Sequence, residues 1–210
     1  MNASASFQKF AGACGVLAGV AGLLYLVLFV ALRNPSALLP SLALLAVGVF
    51  ATAVNVALFQ RLRGVDEGFA LWGLLLGAAG AGGAAVHAAF DVANAVQPPS
   101  TALDLPSAID PRGFLTFAIA GLAAIVFSRL IVRGGVLPRS LGYVGMLAGV
   151  LLILLYVAYM LILNATSPVV VALVFAAGIL QPIWYLWLGV ELGRSTTEML
   201  ADSSRPRTAV

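Results

Sequence analysis

Six runs of apolar residues divide this 210-residue chain almost without remainder. Each is close to the roughly 20 residues that a helix needs to cross a hydrocarbon layer. They lie at about 10–32, 41–60, 69–93, 112–132, 140–163 and 169–192. Hydrophobic side chains make up 62% of the chain and charged ones 9%, against roughly 45–50% and 25% in soluble domains; mean hydropathy is +1.07. A soluble core of this size would need a polar shell that this composition does not supply, so lipid is the expected solvent for most of the surface. In lipid every backbone polar group must be satisfied within the protein, which restricts spanning structures to helices and closed barrels. The sequence therefore predicts an all-α, polytopic six-helix transmembrane bundle. Residues 1–193 form the membrane domain, and 194–210 are expected to be a disordered cytoplasmic tail.

Charge sets the expected orientation. The chain has 11 basic residues. Nine of them (Lys9, Arg61, Arg63, Arg129, Arg133, Arg139, Arg194, Arg205 and Arg207) map to the termini and the even-numbered connections; only Arg33 and Arg112 map to the other side. By the positive-inside rule both termini are expected in the cytoplasm, and the protein in the inner (plasma) membrane as a multi-pass chain. The net charge of +3 is small. The basic residues sit at helix ends, where anionic headgroups attract each by about 1 kcal/mol. The lipid bilayer is the expected partner, and nucleic acid is not. Lys9 and Pro35-Ser36-Ala37 imitate a signal peptide, but the run from Phe10 to Leu32 exceeds the roughly 7–15 residues of a signal core and reads as a retained first span. Cys14, the one cysteine, excludes an internal disulfide and a thiolate metal cluster and reads as a small packing residue.

Helix starts and stops are marked. Asp110-Pro111 combines an N-cap with proline at the first helical position, Ser167-Pro168 repeats the device, and Arg133-Gly134-Gly135 ends the fourth span. The long connection at 94–111 contains Gln97-Pro98-Pro99-Ser100 and Leu103-Asp104-Leu105-Pro106; it is either a lid or a passive connector. At an offset of 130, Lys9, Gly12, Gly15 and Leu17 to Val20 align with Arg139, Gly142, Gly145 and Leu147 to Val150, a weak repeat of the first and third hairpins. Gly12, Gly15, Gly19 and Gly22 form a stripe, and Gly73-x-x-x-Gly77 and Gly145-x-x-x-Gly149 are small-residue pairs. Such faces let helices approach closely in lipid, either within the chain or in a homodimer or a complex with another membrane protein.

Two stretches carry a resemblance: Ala21-Gly22-Leu23-Leu24-Tyr25-Leu26, and Gly135-Val136-Leu137-Pro138-Arg139-Ser140-Leu141-Gly142. Together they resemble a large bacterial family of six-helix integral membrane proteins catalogued as a domain of unknown function. Length and span count fit along the whole chain. The resemblance implies a bacterial inner-membrane protein and supplies no activity. In physical terms Pro138 stops the preceding segment, Arg139 anchors at the headgroups and Gly142 permits close packing.

Ionisable residues within membranes are costly and tend to face a bundle interior or a water cavity. His87 and Asp91 stand four apart on one face of the third span, with Asn94 three further on. At about 1.5 Å per residue, His87 lies roughly 24 Å into a layer of about 30 Å, in its outer quarter, with Asp91 near the outer interface. The pair suits proton transfer, anchoring of a polar ligand group, part of a metal site, or simple structural hydrogen bonding. Tyr25, Tyr156 and Tyr159 reach the same outer part, either facing a cavity or forming an aromatic belt. Gln181-Pro182 places an amide and a kink near the middle of the sixth span, as a binding site, a hinge or a structural kink. Asn55 is expected to bond between helices. Trp72, Trp184 and Trp187 are expected to anchor the inner interface. Glu191 pairs with Arg194, and Asn164-Ala165-Thr166 matches the glycosylation pattern weakly.

The leading reading is a non-enzymatic membrane protein that binds or transports a small, largely apolar or weakly polar ligand through an outer-facing cavity. Its candidate residues are His87, Asp91, Asn94, Tyr25, Tyr156, Tyr159 and Gln181. No catalytic set, metal site or cofactor is expected. The alternative is an accessory or assembly protein that docks through its glycine-rich faces. A membrane enzyme comes third, because it would need more converging His, Asp and Glu side chains than the spans contain.

Overall fold

A computed structural model describes residues 3–32, 37–96, 110–162, 164 and 166–203. The expected structures at 97–109, including Asp104, and at Arg33 lie outside the described residues. The described residues are all-helical, and six helices among them are long and apolar enough to cross a membrane. They are α1 (Ala3–Leu32), α2 (Leu38–Leu62), α3 (Glu67–Val96), α4 (Ala120–Gly134), α5 (Arg139–Ile162) and α6 (Pro168–Ser203). A 3-10 turn (Pro111–Gly113) and a π-helical segment (Phe114–Ile119) lead directly into α4 and complete its span. Helix α3 runs to Val96 because nothing breaks it before Gln97-Pro98; proline disfavours helical geometry in the residue before it.

Each helix packs against its neighbours in sequence, and α6 returns to α1, so the six form a closed ring. The ring closes backbone to backbone. A Cβ added at Gly15 would stand 2.8 Å from Gly189 Cα, one at Gly12 would stand 2.8 Å from Gly189 O, and one at Gly22 would stand 2.7 Å from Pro182 Cγ. Gly12 also abuts Gly193, so the start of α1 and the far part of α6 lie at one end of the bundle, the terminal end. Glycine recurs at other seams: Gly48 against Ala85 of α3, Gly80 against Ala120, and Gly121 against Gly149. Lipid is as apolar as leucine, so helices associate in it through van der Waals contact and hydrogen bonds rather than through hydrophobic expulsion. Removing Cβ atoms from both faces brings whole backbones into contact, which maximises that term.

The two halves of the ring are filled differently. Toward the terminal end, Val54, Leu58, Leu62, Phe127, Ile131, Leu141, Leu188 and Leu192 are all fully buried and make a solid plug. Toward the far end the inward positions are small: Gly22, Gly48, Gly77, Gly80, Ala81, Ala84, Ala120, Ala124, Ala177 and Gly178. Large residues there point outward instead, such as Val27 at 62%, Val86 at 50% and Leu161 at 77% exposure. Small residues inside and large ones outside leave the centre of the far half empty.

Polar clamps finish the terminal end. Gln8 Nε2 donates to Ala57 O at 3.2 Å and to Gln60 Oε1 at 3.1 Å, and Arg61 Nε donates to Gln8 Oε1 at 3.2 Å, tying α1 to α2. Asp66 Oδ1 accepts the Phe69 N–H at 3.1 Å and caps α3, while its other oxygen lies 3.7 Å from Arg133. Gly135, with φ 62°, donates its N–H to Ile131 O and stops α4 as the left-handed cap that glycine favours.

The seam geometry separates two glycine-to-alanine changes. Gly15→Ala is expected to destabilise the protein by about 1–3 kcal/mol through overpacking against backbone that cannot yield. Gly82→Ala, where nothing lies within 4 Å, is expected to be neutral or slightly stabilising, since alanine is the better helix former. Thermal unfolding of the two variants in the same detergent checks this, and equal losses would contradict the account of ring closure.

Candidate functional site

The ring encloses a cavity of about 140 Å³, lined by residues from all six helices. It runs from Ala18, Asn55, Gly77 and Trp184 up to Phe29, Thr116, Tyr159 and Val174. From Ala18 to Phe29 is eleven residues, or ~16 Å of helix rise. The floor is the plug of the terminal half, and no charged side chain is among the described lining residues. The walls combine glycine and alanine with leucine and valine side chains and six aromatic rings: Tyr25, Phe29, Phe117, Tyr159, Trp184 and Tyr185. The polar atoms are the amides of Asn55 and Gln181, the hydroxyls of Tyr25, Thr116, Tyr159 and Tyr185, and the indole of Trp184. An apolar hollow with a few convergent polar groups is the usual form of a small-molecule site.

The structure divides the expected site residues. Tyr25, Tyr159 and Gln181 line the cavity; His87, Asn94 and Tyr156 do not. Tyr156 packs edge-on against Phe114, at 5.6 Å between ring centroids, and Tyr159 stacks on Phe117 at 6.0 Å. Asp91 is buried, with 8% of its side chain exposed, and stands on the same stripe of α3 as Gly77, Ala84 and Ala88. That register places it two turns above Ala84, at the rim of the cavity. His87 Nε2 lies 3.5 Å from Asp91 Oδ2, and the imidazole is 31% exposed. Its Nδ1 is buried and makes no hydrogen bond among the described residues. Gly83, one turn before His87, packs on Leu115, so His87 faces the lead-in to α4.

Asn55 differs from its expected role. It is wedged against Gly77, has 6% exposure, borders the cavity, and makes no hydrogen bond to another helix among the described residues. Trp184 differs as well: it is 3% exposed, stands edge-on to Tyr185 at 5.2 Å and belongs to the core, not to an interfacial belt. Depth along a helix locates a residue along the membrane normal but not around the helix; the missing side chain of Gly145 makes room for the indole. Trp184 Nε1 and Ser128 Oγ both abut Gly145, and both are buried without a hydrogen bond among the described residues. Trp72 is 44% exposed, and Trp187 Nε1 donates to Glu191 Oε1 at 3.2 Å.

Thr116, Phe117 and Tyr185 line the cavity too. Tyr185 lies four residues after Gln181 and so shares its face, a signal the sequence contains. Thr116 gives no such signal, because its place depends on an irregular turn. The expected simple N-cap at Asp110 is replaced by a longer device. Arg112, at φ 55°, and Gly113, at φ 77°, are both left-handed and interrupt the helix at once. Asp110, 1% exposed, therefore reaches past them: Oδ1 accepts the Leu115 N–H at 2.6 Å, and Oδ2 accepts the Thr116 N–H at 3.1 Å and its hydroxyl at 2.6 Å. A carboxylate at a helix start satisfies orphan donors and meets the positive end of the helix dipole. Arg112 is held by donating from Nη1 to Tyr159 O at 2.8 Å, in the last turn of α5. One short segment thus fixes two wall residues, Thr116 and Tyr159.

The glycine stripes are covered within the chain. The α1 stripe packs on α6, Gly73 on Phe127, Gly77 on Asn55, and Gly149 on Gly121. Among the described residues no three His, Cys, Asp or Glu side chains converge. Neither protein-family models, curated proteins nor solved structures yield a match to this chain.

The Asp110 device predicts that Asp110→Asn lowers stability by about 1.5–3 kcal/mol, since an amide nitrogen cannot accept from Thr116 and the lost bonds involve a charged acceptor. Thr116→Val removes one of them and costs about 1 kcal/mol. Equilibrium unfolding of the two variants checks the order.

Proposed function

We propose that this chain is an integral protein of a bacterial inner membrane, with both termini in the cytoplasm, that binds a small ligand in a cavity opening toward the outer side and holds or passes it without covalent chemistry. The observation that carries the reading is the hollow at the centre of the ring itself. All six helices contribute to it, the charged clamps sit at the other end, and its polar atoms are few and convergent. An apolar protein cavity of about 150 Å³ holds benzene, so a body of that size with one or two hydrogen-bonding groups fits. The arginines of the terminal end support a cytoplasmic placement of that end. Docking of another membrane protein through the glycine faces has less support, because α1, α3 and α5 already use those faces internally.

Ala124, 6% exposed, borders the cavity. Ala124→Phe is expected to fill the hollow, leave the protein folded and abolish the rise in Tm that benzene-sized solutes give the native protein. Equal stabilisation of both proteins would sink the cavity reading. Orientation has its own check in a Cys14→Ala background. A cysteine at Asn164, in the exposed α5–α6 connection, is expected to react with an impermeant maleimide added to intact cells. One at Arg63, exposed at the terminal end, is expected to react only after lysis.

A further inference from the structure

Asn55 places a primary amide at the floor of the cavity with nothing in the protein to bind it. It is 6% exposed and makes no hydrogen bond through its side chain among the described residues. Burying an amide without partners is costly, above all in hydrocarbon, where no water supplies the missing bonds. Asn55 stands one turn before Leu58 of the plug and borders the hollow. Gly77 of α3 sets its orientation. A Cβ built on that glycine would lie 2.6 Å from Asn55 Cγ, 2.7 Å from Nδ2 and 2.8 Å from Oδ1. Three nearly equal distances put that point over the face of the amide plane. The amide therefore lies flat on the glycine, and the edge that carries its N–H groups and carbonyl lone pairs is not turned into α3. Nor is that edge sealed: Trp184 Nε1 and Ser128 Oγ are closed off by their neighbours, but the polar atoms of Asn55 are not. An unpaired amide with an open edge on a hollow is built to bind something other than its own chain.

We propose that the cavity takes a neutral ligand with a carboxamide-like head, which pairs edge to edge with Asn55 at the floor while its apolar body fills the hollow above. This rests on the cavity reading above. The amide edge presents a donor and an acceptor side by side. Its complement carries an acceptor and a donor side by side, as a primary amide, a lactam or a urea does. Exchanging Nδ2 and Oδ1 leaves that complement the same. A carboxylate offers two acceptors and sets one of them against Oδ1; an amidinium offers two donors and sets one against Nδ2. Either ion also leaves water for a wall on which no described residue is charged. The polar groups of Gln181, Tyr185 and Thr116 on that wall are neutral as well. Above the amide the wall is Ala51 and Gly48 on α2 and Gly80, Ala81 and Ala84 on α3, small enough to leave room for the body.

The test uses four compounds of one shape on protein in nanodiscs: benzamide, benzoate, benzamidinium and isopropylbenzene. A Trp72→Phe, Trp187→Phe background leaves Trp184 in the cavity wall as the fluorescent reporter. In that reference protein benzamide is expected to bind about tenfold or more tightly than either ion. Asn55→Ala is expected to weaken benzamide by about tenfold, the worth of two neutral hydrogen bonds, and to leave isopropylbenzene unchanged. Comparing each compound between the two proteins cancels its partition into lipid, and retained isopropylbenzene binding shows that the variant is folded. Binding of benzoate or benzamidinium to the reference protein as tightly as benzamide overturns the neutral head, whatever the variant does. An unchanged benzamide affinity in Asn55→Ala, or an equal loss of benzamide and isopropylbenzene, overturns the pairing with Asn55 and leaves the cavity reading standing. Binding of none of the four to the reference protein overturns both.

Discussion

The contact between α1 and α6 governs the rest of the architecture. Two helices at opposite ends of the sequence meet with no side chain between them, Gly12 and Gly15 on one and Gly189 on the other. That approach turns a row of sequential hairpins into a closed ring. Once the ring is closed, every helix has an inward face, and what stands on that face decides whether the centre is filled. Leucine, phenylalanine and isoleucine fill the terminal half; glycine and alanine leave the far half hollow. In lipid there is little hydrophobic gain in burying leucine rather than exposing it, so large residues can face outward without penalty. The cavity is therefore compatible with a stable bundle in a way that a similar hollow in a soluble protein would not be.

Irregular backbone is concentrated where it shapes the wall. Gly113 needs its left-handed conformation, and a side chain there would strike the Phe117 ring. Arg112 shares that conformation at a cost of order 1–3 kcal/mol for a non-glycine residue, offset by its bond to the last turn of α5. The π-helical turn that follows brings Thr116 and Phe117 inward. Pro182, inside α6, packs on Gly22 beside Gln181. The irregular start of α4 and the proline inside α6 thus both stand beside polar groups of the site.

Much of the fold was open to reading from the sequence because its cause is local. Length and hydropathy specify six helices, and Gly135 marks the end of α4 by its own conformational preference. The glycine stripe of α1 announces a close approach but not its partner; only the three-dimensional ring identifies α6. Tyr25, Tyr159 and Gln181 were visible as polar groups in apolar helices. Rotation about the helix axis was not visible, which is why Trp184 reads as an interfacial anchor in sequence and stands in the core in space. His87 and Asp91 read as one unit from their spacing, yet Asp91 falls on the inward stripe and His87 beside it. Thr116 and Asp110 were hidden for another reason: their pairing spans a turn made of two left-handed residues, which spacing rules for regular helices do not anticipate.

The central claim is that the far half of the ring encloses a real, occupiable space. A high-resolution structure of the protein purified in native lipid nanodiscs addresses it most directly. The account predicts ordered non-protein density between the Gln181 and Asn55 amides below and Tyr25 above, with the helix seams at Gly15–Gly189 and Gly80–Ala120 unchanged. A ring collapsed inward, with Gln181 and Asn55 hydrogen-bonded to each other and no density between them, would contradict it.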